Sequence, residues 1–287
     1  MDRFVPRQAL KRVAALVALS AMASCSLIYD TSEVQCDTDA DCSLRGFDGS
    51  RCVDNVCQAD EPSEWSCIGE VQWPAIGSVP VTLRLMVIDV LTSAPPQDLE
   101  VDLCPKLDVD CVNPSPASAK TTADGFLEVT VNAGFDGYLQ LKSPTITTSL
   151  FFPTRPVFED TVIPGMMPVV SPEGFDGIAQ AIGTVRDPAM GHTFAMAANC
   201  DEQPAAGVRF EVSDQNAKTA RYYMVNNAPV ATENATDAAG NGGFLNLDPG
   251  FARITGFVAE SGATVGEASF VVRAGAVTYP RIIPTPQ

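Results

Sequence analysis

Between Cys36 and Cys57, four cysteines fall within 22 residues, in CDTDADCSLRGFDGSRCVDNVC, spaced C-x5-C-x9-C-x4-C. So short a segment cannot bury enough apolar surface to hold itself together, and its fold must come from covalent staples. Four thiolates would also suit a closed zinc site, but these pairs lack C-x2-C spacing. Asp37, Asp39 and Asp41 match the D-x-D-x-D start of a calcium loop. In such a loop the sixth position is Gly and the twelfth Glu, whereas here they are Cys42 and Asp48. The reading with fewest exceptions is a disulfide module over residues 36–57 with a solvated acidic face. Its four cysteines allow three pairings. No metal and no cofactor is assigned.

The chain opens with a basic head (Arg3, Arg7, Lys11 and Arg12), a short apolar run from Val13 to Met22, then Ala23, Ser24 and Cys25. This is the layout of an export signal, and the apolar run is shorter than the roughly 20 residues that span a bilayer. The stretch before Cys25 resembles a bacterial lipobox, with Met22 where that family usually has Leu or Val. The resemblance implies a signal peptide over residues 1–24, cleavage before Cys25, and acylation of Cys25 by palmitate-like chains. With Ser26 following, it implies an outer-membrane lipoprotein of the cell envelope, tethered through residues 25–35. Eight of the nine cysteines then remain: Cys36, Cys42, Cys52, Cys57, Cys67, Cys104, Cys111 and Cys200. An even remainder in an exported chain points to disulfides. Cys104 and Cys111 enclose six residues and are natural partners.

Charge narrows the partners. The chain carries 18 Lys+Arg against 35 Asp+Glu. Residues 1–24 hold four of the basic residues and one of the acidic ones, so the mature net charge is near −20. Such a chain repels phosphate backbones, which excludes nucleic acid as a partner. It also repels anionic membrane surfaces, leaving the lipid as the membrane attachment.

From residue 66 onward the pattern is mainly β. Val79–Leu91, Leu99–Cys104, Phe126–Val131 and Tyr138–Leu141 are strand-like segments between turn signals. They predict a first β-sandwich over residues 66–166. The tetrapeptide GFDG occurs at Gly46–Gly49, Gly134–Gly137 and Gly174–Gly177. The first is a loop of the cysteine module and the second a strand-linking turn. The third lies in SPEGFDGIAQAIG, where Ser171 is a good N-cap and Pro172 suits the first helical position. Phe175, Ile178, Ala179 and Ile182 share one helical face. This predicts a connecting helix over residues 171–183. A second sandwich over residues 184–283 follows, with strands in HTFAMAANC, GVRFEVS, ARYYMVN, GGFLNL, ARITGFVAE and GEASFVVRAG.

Within that second region, Gly207-Val208, Thr236-Asp237 with Gly240, Gly242-Gly243-Phe244 and Pro249-Gly250 resemble the carboxypeptidase-regulatory-like, transthyretin-like β-sandwich family. TTADGFLEVTV in the first half is a shorter version. The resemblance implies two prealbumin-like sandwiches in tandem, a fold that mostly serves as an accessory, stabilising or adhesive module. The four-cysteine segment resembles T-D-x-D-C modules of exported myxobacterial proteins, and the whole layout resembles their envelope lipoproteins.

No catalytic constellation stands out. A Ser-His-Asp triad would need His192, the only histidine, and no serine lies in a G-x-S-x-G elbow. The expectation is a non-enzymatic, lipid-anchored envelope protein that presents β-sandwiches for binding or scaffolding an envelope protein or polysaccharide. Two alternatives stand beside it. One is a carbohydrate-binding protein with Tyr222, Tyr223 and Phe244 as a stacking platform. The other is a hydrolase with an unrecognised carboxylate pair.

Overall fold

The computed structural model describes residues 34–286, apart from 48–49, 60–62, 90–91, 97, 116–117, 123–124 and 154. It divides into two compact units, at Glu61 and Pro62.

The first unit is built around the cysteine-dense segment. Helix α1 (Asp39–Leu44) leads into a hairpin of β1 (Ser50–Val53) and β2 (Val56–Ala59). Asp54 and Asn55 both have positive φ, the mirror-image turn that suits two-residue hairpins. Cys36 bonds to Cys52 and Cys42 to Cys57, so the helix and the segment before it are both tied to the hairpin. Gly46 follows the helix end with φ +86°, a left-handed conformation that glycine adopts without strain.

The second unit is mainly β. Its first half contains β3 (Pro80–Asp89), β4 (Glu100–Pro105), β5 (Ser118–Thr121), β6 (Phe126–Asn132), β7 (Gly137–Lys142), β8 (Ser149–Phe152) and β9 (Thr161–Val169). Helix α2 (Pro172–Ala181) follows. The second half contains β10 (Gly191–Ala197), β11 (Val208–Val212), β12 (Ala220–Val225), β13 (Ala228–Val230), β14 (Asn241–Leu247), β15 (Gly250–Val258), β16 (Thr264–Val272) and β17 (Val277–Ile282).

These strands form three sheets. A four-stranded sheet, β5-β6-β3-β9, comes wholly from the first half, and a three-stranded sheet, β11-β15-β16, wholly from the second. Between them lies an eight-stranded sheet, β13-β12-β14-β10-β17-β8-β7-β4, that takes strands from both. Two apolar cores fill the gaps. Leu83, Leu85, Val129, Leu139, Phe151, Phe194, Tyr222 and Tyr279 belong to one core. Tyr138, Leu150, Phe152, Phe210, Tyr223, Phe244, Ile254 and Phe270 belong to the other. Adjacent residues of the middle sheet therefore point into different cores: Tyr138 and Leu139, Leu150 and Phe151, Tyr222 and Tyr223.

This explains the burial patterns. β3 alternates along its length, as a strand with one face in a core must. β8 and β17 are buried at every residue, because both of their faces are covered. The two sandwiches are thus stacked on a shared middle sheet. Each sandwich adds a sheet from its own half, four strands from the first and three from the second. The join is β17, which pairs in parallel with β10 on one side and β8 on the other.

Helix α2 has the features its sequence calls for. The Ser171 hydroxyl accepts the Gly174 N–H at 3.1 Å, and Pro172 opens the helix. Phe175 and Ala179 are buried in the first core, with Ile178 and Ile182 packed against it.

Candidate functional site

Cys25, the expected lipid-attachment residue, lies outside the described residues, as does most of the tether. The other eight cysteines form four disulfides. Besides the two in the first unit, Cys104 bonds to Cys111, and Cys67 to Cys200 across 133 residues. The last of these ties the segment before β3 to the loop after β10. The Cys200 N–H donates to the Glu64 carbonyl at 3.0 Å, and the Cys67 N–H points at the Cys200 sulfur at 3.1 Å.

In the first unit the candidate metal ligands are committed to structural bonds. The sulfurs of Cys36, Cys42 and Cys57 lie within 4.8 Å of one another. They belong to two disulfides, so they are not the thiolates a zinc site needs. Two aspartates of the D-x-D-x-D run, Asp39 and Asp41, cap and fasten the module. Asp41 accepts the N–H groups of Asp37 and Thr38 at 3.0 and 2.8 Å, which holds its carboxyl below the ordinary range, the Thr38 bond contributing most. Asp39 accepts the Cys52 N–H at 2.8 Å.

His192 is fully buried on β10. Its Nδ1 accepts the Asn246 N–H at 3.1 Å, and its ring packs on Phe175 with centroids 5.1 Å apart. Burial, with Arg186 nearby, pushes its pKa down to about 4, so the ring is neutral at ordinary pH. A triad histidine has Nδ1–H donating to a carboxylate and Nε2 at a nucleophile. Here Nδ1 is an acceptor and the ring is sealed from solvent.

The aromatic platform is also ruled out. Tyr222, Tyr223 and Phe244 are all at most 1% exposed. The Tyr222 hydroxyl donates to the Thr193 carbonyl at 3.0 Å, and the Tyr223 hydroxyl accepts the Phe210 N–H at 2.8 Å. They are core residues of the two sandwiches, because the middle sheet has no solvent face there.

The carboxyls displaced from their ordinary range, among the described residues, all move downward. In Asp102 burial acts upward, but hydrogen bonds from Lys142 and Gln140 outweigh it. Asp108 is held down chiefly by the Asn113 N–H, and Asp187 by Lys218. A glycosidic general acid needs the opposite shift.

A cavity of about 600 Å³ lies beside α2, inside the roughly 300–1,000 Å³ range of small-molecule sites. Sequence reasoning did not find it. One row of residues across five strands of the middle sheet lines its floor. Pro229 of β13 is in register with Met224 of β12. Tyr223 faces Gly242, so Met224 lies level with Asn241 of β14. Asn241 faces Met196 of β10, and Met196 faces Arg281 of β17. Gly174 and Ile178 of α2 form another wall, and Ile88, Met166 and Pro168 from the ends of β3 and β9 a third. Arg281 is 4% exposed, with Nη1 3.3 Å from the Glu202 carboxylate. Arg155 meets the same carboxylate at 2.5 Å. Burial lowers the Arg281 pKa, and Glu202 opposes that effect. The only sequence signal for this site was a charged residue inside the apolar run of β17.

No protein-family model matches the chain, and no curated protein matches it. Solved structures with partial similarity include a Streptococcal ancillary pilin, 11% identical with TM-score 0.23, covering 71% of this chain and 68% of that one. Shaft pilin SpaA from Lactobacillus rhamnosus GG is 9% identical with TM-score 0.23, over 73% and 99%. GBS52, the minor pilin of Streptococcus agalactiae, is 15% identical with TM-score 0.21, over 72% and 98%. At these TM-scores the similarity does not carry function from those chains to this one.

Proposed function

We propose that this chain is a lipid-anchored envelope protein whose stacked β-sheets serve binding or scaffolding, without turnover. One observation carries most of the weight. The eight cysteines of the described residues are used up among themselves in four disulfides. Such a framework belongs to an oxidising compartment. By count it leaves Cys25, the cysteine of the lipobox-like stretch, for a different chemistry. Acylation at Cys25 supplies durable attachment, since each buried CH2 contributes about 0.8 kcal/mol. The absence of turnover is supported by the sealed, neutral His192 and by carboxyls displaced downward. The carbohydrate-binding alternative has lost the aromatic residues it rested on.

The test is Cys25→Ser in the native host, read by cell fractionation and by incorporation of an alkyne-tagged palmitate. Wild type should sediment with membranes and take up the tag, and the variant should do neither. A variant that still sediments and still carries the tag refutes the anchor.

A further inference from the structure

We propose that the cavity beside α2 binds a long-chain carboxylate, its acyl chain lying along the row Pro229, Met224, Asn241 and Met196 and its head group at Arg281. This goes beyond the envelope reading and holds whether or not Cys25 is acylated.

The first argument is shape. Four steps between neighbouring strands, each about 4.8 Å, make the floor roughly 19 Å long. That length suits an extended chain better than a compact ring system.

The second is the lining. Met166, Met196 and Met224 come from three different strands, so three of the chain's eight methionines meet at one cavity. Unbranched, polarisable methionine side chains adapt to a flexible apolar ligand. Phe194, Ile178, Pro168 and Pro204 extend the same apolar surface.

The third is charge. Arg281 stands at one end of the row, almost wholly buried, and Glu202 is shared between Arg281 and Arg155. A ligand carboxylate at that end of the row would lie beside the Arg281 guanidinium, with Arg155 on the other side of the same Glu202 carboxylate. Charge-assisted bonds to guanidinium are about twice as strong as neutral ones. A chain of net charge −17 repels anions over most of its surface, so a buried guanidinium is where an anionic head finds a partner. A neutral alcohol of equal length would bury the same chain without that bond.

The experiment uses the full-length chain carrying Cys25→Ser, so that no detergent competes for the site. Palmitate and hexadecan-1-ol are each titrated by calorimetry. The expected result is saturable palmitate binding at one site per chain, with hexadecan-1-ol weaker by about tenfold or more. Met196→Trp and Met224→Trp fill the floor, and each should weaken palmitate by about tenfold or more while the far-UV circular dichroism stays unchanged. Val185→Trp, at a site 82% exposed and outside the cavity lining, should leave binding unchanged. If Met196→Trp does not fold, Met224→Trp on its partly exposed strand carries the test. Lack of saturable palmitate binding overturns the proposal, as does unchanged binding in a folded Met224→Trp. Equal affinity for the acid and the alcohol overturns the placement of the head at Arg281. Membrane attachment is read separately by fractionation, so failure of the cavity leaves the anchor standing, and the reverse.

Discussion

Cys67 and Cys200 close the longest loop of any disulfide among the described residues, 133 residues in sequence. Replacing both with alanine frees the unfolded chain of that constraint. In the chain-entropy treatment, closing a loop of that length contributes about 5 kcal/mol at 25 °C. Cys104 and Cys111, seven residues apart, give about 2 kcal/mol on the same treatment. A domain of this size loses about 2–4 °C in Tm per kcal/mol. The Cys67→Ala/Cys200→Ala variant should therefore melt roughly 10–20 °C below wild type, and Cys104→Ala/Cys111→Ala roughly 4–8 °C below. The main-chain bond from the Cys200 N–H to the Glu64 carbonyl survives both substitutions, and only the Cys67 N–H contact to the Cys200 sulfur goes with the disulfide. Differential scanning calorimetry under non-reducing conditions measures both shifts. The ordering is the discriminating result. If the short-loop variant melts as low as the long-loop variant, loop closure is not what the long disulfide contributes.

The buried His192 predicts an acid-sensitive limb. Its folded pKa of about 4 lies below the unfolded value near 6.5, so the unfolded chain binds more protons between these values. Stability should fall as pH drops from about 6.5 to about 4, by roughly 3 kcal/mol in all, and His192→Gln should flatten that limb in urea titrations across the range. Gly177 lies inside α2 with open space where a Cβ would stand, so Gly177→Ala should raise stability by about 1 kcal/mol. Gly243 is the opposite case. A Cβ there would collide with the Thr193 carbonyl oxygen, and Gly243→Ala should cost about 1–3 kcal/mol in the same denaturation assay.

The sequence exposed those elements whose signals are local. The α2 helix was legible from Ser171, Pro172 and the spacing of Phe175, Ile178, Ala179 and Ile182. The Thr236-Asp237 turn was legible as well, and the structure shows why those residue types stand there. The Thr236 hydroxyl accepts the Val208 N–H at 3.0 Å and donates to the Ala205 carbonyl at 2.8 Å. The Asp237 carboxylate accepts the N–H groups of Ala239 and Asn226, both at 2.9 Å.

Two strands escaped because they contain residues that ordinarily interrupt sheets. β9 carries Pro164 and Gly165 where its register with β3 shifts between Arg84 and Met86. β17 carries Pro280, in register with Phe152, yet it is an interior strand of the middle sheet. The shared sheet escaped for a different reason. Burial on both faces erases the alternation that tells a strand's inner side from its outer side, and nothing local in β17 specifies β8 and β10 as its neighbours. The cavity inherits that difficulty, since its floor is a single residue from each of five strands.

The placement of β17 also orders events in time. Sixteen strands precede it among the described residues, and it must enter between two of them that belong to opposite halves of the unit. Neither core can be sealed while that slot is empty, because Val277 and Tyr279 fill one core and Ile282 the other. A nascent chain thus holds an open seam until residue 282 has emerged, and contacts of such sequence separation form slowly. Under the envelope function proposed above, which requires export, that delay would be an advantage: the unit would not lock before β17 had crossed.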